Sequence, residues 1–117
     1  MAKYLVLIYG NAQTWADAPE EWHRQNADKH TAFHAEAGAA VVGGLELEPI
    51  GAAISVRAGK DGRPAVTNGP FLETKEVIGG YYVLEAADDT EAIRLAGLIP
   101  EATAPEGGVE IRRVAVS

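Results

Sequence analysis

All three histidines of the chain, His23, His30 and His34, fall in one short stretch. On a helix with 100° per residue they lie within about 40° of one another around the axis. His30 and His34 have the four-residue spacing of two helix-borne metal ligands. No third ligand and no His-Glu-x-x-His pattern accompanies them, so we expect no metal.

His30 is the candidate catalytic residue, because it lies closest to the apolar face of the predicted helix. A half-buried imidazole titrates near neutral pH and is a suitable acid or base. The alternative is that all three histidines are polar residues along the border of the buried face. That interpretation is the simpler one for His23 and His34.

A second polar stretch, residues 66–82, reads VTNGPFLETKEVIGGYY. Its Asn-Gly pair and proline are typical of a turn with a fixed backbone path. The charged residues Glu73, Lys75 and Glu76 form either a ligand-binding segment or an exposed ion-paired turn, which would contribute little to stability. Asn68 is the second candidate catalytic residue: it can orient a ligand by hydrogen bonding, but its amide cannot take a proton.

Two further residues are candidates for ligand binding. Arg57 lies on the polar side of a predicted strand, where its guanidinium could bind an anion or form a surface salt bridge. Tyr82 could line a pocket or serve in packing. Together with Glu73 and Lys75, they complete the predicted set of ligand-binding residues.

Composition limits the class of protein. A chain of 117 residues with 47% hydrophobic residues indicates one domain over residues 1–117. A net charge of −7 disfavours nucleic acid and anionic membranes as partners. The absence of cysteine excludes disulfides and thiolate chemistry. No apolar run approaches the roughly 20 residues of a membrane span, and a strand begins at once, so we expect a cytoplasmic protein without a cofactor.

The elements that must position these residues can be predicted from periodicity and from helix-capping and turn signals. A helix should begin with Asp17 as its N-cap and end near Ala37, and a second should follow a capping box that begins at Asp88. The predicted strands cover Lys3–Tyr9, Ala39–Glu48, Ala53–Arg57, Pro64–Thr67, Gly79–Ala87 and Val109–Val116. This order predicts an α+β fold, a ferredoxin-like βαββαβ arrangement with an antiparallel sheet and a hairpin insert.

Both faces of Lys3–Tyr9 are apolar, although two helices can cover only one face of the sheet. An exposed apolar sheet face is uncommon in a monomer. We therefore expect a homodimer in which two sheets pack face to face about a two-fold axis.

The segment Asn68–Glu76 resembles the Asp-Gly-Pro-Phe-x-Glu-Thr-Lys-Glu signature of the DGPF branch of the YCII-related family. Weaker similarities, such as Gly79-Gly80-Tyr81-Tyr82 and Leu98-Ile99-Pro100, extend over essentially the whole chain. The resemblance implies a dimeric α/β-barrel fold and a pocket between the sheet and the signature loop. In the wider family a His and an Asp are proposed active-site partners, but no single reaction belongs to the family. This chain has Asn68 where the signature has Asp.

The expected function is the binding of a small organic acid or similar metabolite near Asn68–Glu76, with acid–base chemistry as an extension. His30 would carry the proton, Asn68 would orient the ligand, and Arg57 or Lys75 would contact an anion. The alternative is a non-catalytic dimerisation or regulatory module that works through a protein partner. A cofactor-free monooxygenase-like reaction, which similar dimeric barrels support, is a third possibility.

Overall fold

A computed structural model describes residues 1–116 of the chain. The strands are β1 (Ala2–Asn11), β2 (Val41–Glu46), β3 (Ile54–Ala58), β4 (Pro64–Asn68), β5 (Glu76–Ala86) and β6 (Gly108–Arg113). The helices are α1 (Ala12–Asp17), α2 (Glu20–Ala37) and α3 (Asp89–Ala96), with short 3-10 helices at Gly38–Ala40, Ile50–Ala52 and Pro100–Thr103. None of the helices in this described part of the chain is both long and apolar enough to cross a bilayer.

Four strands form one antiparallel sheet in the order β2-β5-β1-β6. Strands β1 and β2 are connected through α2, and β5 and β6 through α3, which gives two interleaved βαβ units. The predicted ferredoxin-like α+β fold is therefore confirmed. The boundaries differ by a few residues: β2 is shorter than predicted, and the last strand ends at Arg113 rather than Val116.

The core lies between one face of this sheet and the helices. Alternate residues of β1 (Tyr4, Val6 and Ile8) are buried there against Phe33 of α2 and Ile99. Alternation with period two is what a strand with one covered face requires. Helix α3 contributes Ala92, Leu95 and Ala96 to the same cluster, whereas its Ile93 is exposed.

One predicted helix start is correct and the other is wrong. Asp88 caps α3 by accepting a hydrogen bond from the backbone N–H of Glu91. Asp17, by contrast, is the last residue of α1, a helix that precedes the predicted one and is capped by Asn11. Helix α2 begins after Pro19, without a side-chain cap.

Among the described residues, the helices contribute side chains to the core face of the sheet and none to the opposite face. Leu5 and Leu7, which alternate with the core residues of β1, are only half-buried. Leu7 pairs with Tyr81, and Tyr81 pairs with Leu45, whose side chain is 66% exposed. An apolar stripe thus crosses three strands on this open face.

Strands β3 and β4 form a separate two-stranded sheet, the hairpin arm. Ile54, Val56 and Val66 on one face of the arm are 67%, 55% and 69% exposed. The radius of gyration of the chain is 16.1 Å, compared with about 13 Å expected for a compact domain of this length. The hairpin arm therefore extends the molecule beyond a compact shape, and its apolar side chains are exposed to solvent.

Candidate functional site

A hydrogen-bonded trio of titratable side chains lies where α2 meets the sheet. His30 of α2 has its Nδ1 atom 2.7 Å from the hydroxyl of Tyr82 on β5. Its other ring nitrogen, Nε2, is 2.8 Å from Oε1 of Glu101, in the 3-10 helix that begins at Pro100. One imidazole thus connects a phenol with a carboxylate.

Glu101 is the least expected member of the trio, because a carboxylate is rarely buried and only 5% of the surface of Glu101 is exposed. Asn26, one helical turn before His30, donates a hydrogen bond of 2.9 Å to Glu101 Oε2. Apart from the short contact with His30, Oε1 has no hydrogen-bond partner among the described residues. A buried carboxylate requires such partners, so the i, i+4 pair on α2 makes the ionised form tolerable.

Tyr82 is held in place by close packing. Its ring centroid lies 4.8 Å from that of Phe33 and 5.3 Å from that of His34. On the β2 side, a Cβ atom on Gly44 would lie only 2.7 Å from Tyr82 Cδ1, and the φ angle of Gly44 is +149°. A glycine is therefore required there, where β2 approaches β5 closely.

The surroundings shift the pKa values of Glu101 and Tyr82, the two acids of the trio, in opposite directions. Burial alone would raise the pKa of Glu101, but the hydrogen bonds from His30 and Asn26 and the attraction of His30 outweigh it and lower this pKa. Burial, followed by the negative charge of Glu101, raises the pKa of Tyr82. Glu101 is therefore ionised at neutral pH and Tyr82 keeps its proton.

These charge states determine the tautomer of His30. An ionised carboxylate only accepts hydrogen bonds, so the proton of the neutral imidazole must lie on Nε2. Nδ1 then accepts a hydrogen bond from the Tyr82 hydroxyl. This arrangement is suited to a base: Tyr82 can receive a proton while passing its own to His30, and the resulting imidazolium is paired with Glu101.

The trio borders a cleft of about 950 Å³ between α2 and the β2–β5 side of the sheet. This volume is typical of a small-molecule site. His30, Tyr82, Glu101 and Asn26 all line it. The apolar part of the wall comes from α1, α2, β5 and the segment that follows β2, and includes Trp15, Trp22, Leu47, Ile50, Val77 and Ile78.

Trp15 is positioned by two glycines on neighbouring strands. A Cβ atom on Gly10 would lie 2.1 Å from Trp15 Cζ2, and one on Gly79 would lie 2.5 Å from Trp15 Cη2. The indole thus lies directly on the backbone of β1 and β5, at one end of the cleft. This contact gives a physical reason for a Gly-Gly pair at the start of the Gly79–Tyr82 run.

The structure brings together only two of the residues predicted for the site, His30 and Tyr82. Asn68 is exposed at the end of β4, where it pairs with Ile54, and Glu73 and Lys75 are exposed in the loop after it. None of these three lines the cleft. The catalytic roles of His30 and Asn68 and the binding roles of Glu73 and Lys75 stay predictions.

Arg57 is occupied within the hairpin arm. Its guanidinium donates a hydrogen bond of 2.6 Å to the backbone oxygen of Phe71 and lies 3.5 Å from the centroid of that aromatic ring. Ser55 similarly donates to the backbone oxygen of Gly69. These contacts fix the signature loop against the arm rather than against the cleft.

The other two histidines also line the cleft but have separate contacts. His23 Nε2 lies 2.9 Å from the backbone oxygen of Trp15, and His34 packs edge-on against Tyr82. Within residues 1–116, no group of three or more His, Cys, Asp or Glu side chains is arranged to hold a metal ion.

Sequence reasoning missed Glu101 and Trp15. Glu101 was not among the predicted site residues, and its only local signal is that it directly follows Pro100, the first residue of the 3-10 helix. Its partners are distant in sequence, so no periodic pattern marks it. The close approach of Trp15 to Gly10 and Gly79 likewise depends on the pairing of β1 with β5.

Comparison with known proteins gives a family and no reaction. The family model described as "YCII-related domain" matches residues 2–116. An uncharacterized protein of Rhizobium meliloti (strain 1021) is 32% identical over 115 residues, which cover 97% of this chain and 92% of that protein. Membership of the DGPF branch still depends on the signature at Asn68–Glu76 alone. The chain belongs to the YCII-related family.

Proposed function

We propose that this protein binds a small metabolite in the cleft beside α2 and acts on it by acid–base chemistry. The observation that carries the proposal is the chain of contacts from Glu101 through His30 to Tyr82, which ends at the cleft wall. Titratable groups whose pKa values are pushed apart in a cleft are typical of functional sites.

In the proposed reaction the site removes one proton from the ligand and later returns it. The ligand proton passes to the Tyr82 oxygen while the Tyr82 hydroxyl proton passes to His30 Nδ1. His30 becomes an imidazolium ion, which the Glu101 carboxylate stabilises at 2.8 Å. Tyr82 stays neutral throughout, in keeping with its raised pKa. Reversal of both transfers restores the starting state, so no other reactant is needed.

The functional unit of this proposal is a homodimer. The open sheet face and the hairpin arm together expose Leu45, Ile54, Val56 and Val66. Apolar side chains of this kind, on an arm that extends the molecule beyond a compact shape, favour burial against a second copy.

The hairpin arm also favours a second candidate, a non-catalytic module that docks a different protein. Phe71 and Leu72 in the signature loop are 58% and 67% exposed. Neither lines the cleft. In this alternative the arm would be the functional surface and the trio at Glu101 would serve stability alone.

The two candidates differ in what the purified protein does to small molecules. We would incubate it with a metabolite extract and follow the change of each compound by mass spectrometry. The enzyme proposal expects one or a few compounds to be converted by the wild-type protein, with at least a ~100-fold loss of rate in Tyr82→Phe, as for removal of an acid–base group. Tyr9→Phe, on β1 and outside the cleft, is the matched control. No conversion, or equal conversion by Tyr82→Phe, would favour the docking module.

A further inference from the structure

The charges around the cleft have one sign. The ionisable side chains that line it, besides the three histidines and two tyrosines, are Glu46, Glu48 and Glu101. None of the described residues on its wall is Lys or Arg. Arg57, a predicted anion contact, is instead held against Phe71 in the hairpin arm.

The carboxylates act at different depths. Glu101 is buried as part of the trio, where its lowered pKa keeps it negatively charged. Glu46 and Glu48 are exposed at the edge formed by β2 and the segment after it. A ligand that entered would therefore meet negative charge at the mouth and again at the polar end.

The rest of the wall is suited to an apolar or aromatic ligand body. Trp15 and Trp22 contribute indole rings, and Leu47 and Ile50 contribute aliphatic surface. Indole faces attract both flat apolar groups and cations, because the ring quadrupole is negative above its plane.

We infer that the cleft selects small aromatic or apolar ligands that are neutral or cationic, and excludes organic acids. This inference depends on the proposed function, since it names the ligand class of the same site. It departs from the expected organic acid, for which a cationic contact is required on the wall. A ligand with an ammonium or hydroxyl group would place that group toward Glu101 and Tyr82.

The size of the discrimination follows from Coulomb's law. A ligand carboxylate within roughly 7 Å of the Glu101 carboxylate, at the effective dielectric constant of a protein site, is disfavoured by at least about tenfold relative to a neutral ligand of the same shape. A cation in the same place is favoured, although its loss of hydration offsets part of the attraction. We therefore expect the anion to bind at least tenfold more weakly than either counterpart.

The test uses three probes of similar size that share a benzyl group and differ in the charge of the polar end: 2-phenylethylamine, 2-phenylethanol and phenylacetate. The chain has two tryptophans, and both line the cleft, so the indole N–H signals of the ¹⁵N-labelled protein report binding there. Titrations at pH 8, above the ordinary pKa range of imidazoles, should shift these signals with the amine and the alcohol at concentrations at least tenfold lower than with phenylacetate.

A charge-reversal pair adds a second measurement. Glu48→Lys should strengthen the binding of phenylacetate several-fold and weaken that of 2-phenylethylamine. Glu36→Lys changes the net charge equally on an exposed residue of α2 that does not line the cleft, and should change neither.

The outcomes distinguish a failure of the inferred ligand class from a failure of the proposed function. If phenylacetate binds as well as the alcohol, the cleft is a binding site but the inferred ligand class is wrong. If Glu36→Lys alters binding as much as Glu48→Lys, the charge of the cleft wall is not the cause and the inference is again overturned. If none of the probes shifts the indole signals up to millimolar concentration, the cleft does not bind such ligands and the proposed function fails with it.

Discussion

His30 and Glu101 are far apart in the chain and lie 2.8 Å apart in the fold. The contact joins α2 to the 3-10 helix that follows α3, so it links the two βαβ units as well as the charges. Asn26 gives the same carboxylate a second anchor. The polar centre of the candidate site is therefore also a tertiary contact, and changes to it should affect stability and chemistry together.

Removal of the imidazole should destabilise the protein. In His30→Ala, Glu101 Oε1 loses its nearest partner while remaining buried, a change that costs about 1–3 kcal/mol of unfolding free energy. Denaturant unfolding followed by circular dichroism measures this cost. His34→Ala, which removes an imidazole from the same helix without touching Glu101, is the control. A cost for His30→Ala no larger than that of His34→Ala would contradict the proposed pairing.

The low pKa of Glu101 predicts a pH dependence of stability. Because the folded state holds the proton less tightly than the unfolded state, the stabilisation is complete above the ordinary glutamate range and is lost as the pH falls through the lowered folded value. The unfolding free energy of the wild-type protein should therefore drop more steeply between pH 5 and pH 3 than that of Glu101→Gln. Glu48→Gln controls for the loss of one exposed negative charge. Parallel curves for wild type and Glu101→Gln would be inconsistent with an ion-paired Glu101.

Because Trp15 packs directly on the backbone of Gly10, adding one methyl group at Gly10 should lower the stability of the protein. In Gly10→Ala the new Cβ would overlap the indole, so Trp15 must move, at a cost of about 1–3 kcal/mol. Near-ultraviolet circular dichroism and tryptophan fluorescence should both change. Gly108→Ala is the matched control, because a Cβ there meets nothing within 4 Å. Equal spectra for the two variants would show that Trp15 does not lie on Gly10.

The hairpin arm predicts a charge-sensitive association. Val66→Glu places a carboxylate in the middle of the exposed apolar face of the arm and should convert a dimer to monomers at micromolar concentration. Light scattering coupled to size-exclusion chromatography measures the mass. Val116→Glu, the same change at a residue that is 99% exposed near the C-terminus, should leave the mass unchanged. A wild-type protein that is monomeric under these conditions would refute the homodimer.

The ferredoxin-like fold could be predicted because its signals are local. The apolar and β-branched run of β1 and the capping box at Asp88 each act over a few residues. Helix α1 (Ala12–Asp17) was missed because Asp17-Ala18-Pro19-Glu20 has the features of a helix start. These features predicted one helix from Asp17 onward, whereas the structure has α1 ending at Asp17 and α2 beginning at Glu20.

Only part of the candidate site could be predicted from the sequence in the same way. His30 stood out by its position on the border of the core face of α2, and Tyr82 by its place in an apolar strand. Glu101 gave no signal, since the burial of a carboxylate after Pro100 depends on partners from α2. The predicted proximity of Asn68 to His30 was an inference from the signature, and the structure places Asn68 on the hairpin arm instead.

The protonation of His30 is the most direct measurement of the central claim, that Glu101, His30 and Tyr82 act as one proton-transfer chain. Long-range ¹H–¹⁵N correlation spectra of the ¹⁵N-labelled protein, assigned with His30→Gln, distinguish a protonated from an unprotonated ring nitrogen. For the neutral imidazole we predict a proton on Nε2 and none on Nδ1, with a change at Nδ1 in Tyr82→Phe. A neutral His30 with its proton on Nδ1, or one unaffected by the loss of the Tyr82 hydroxyl, would contradict the account.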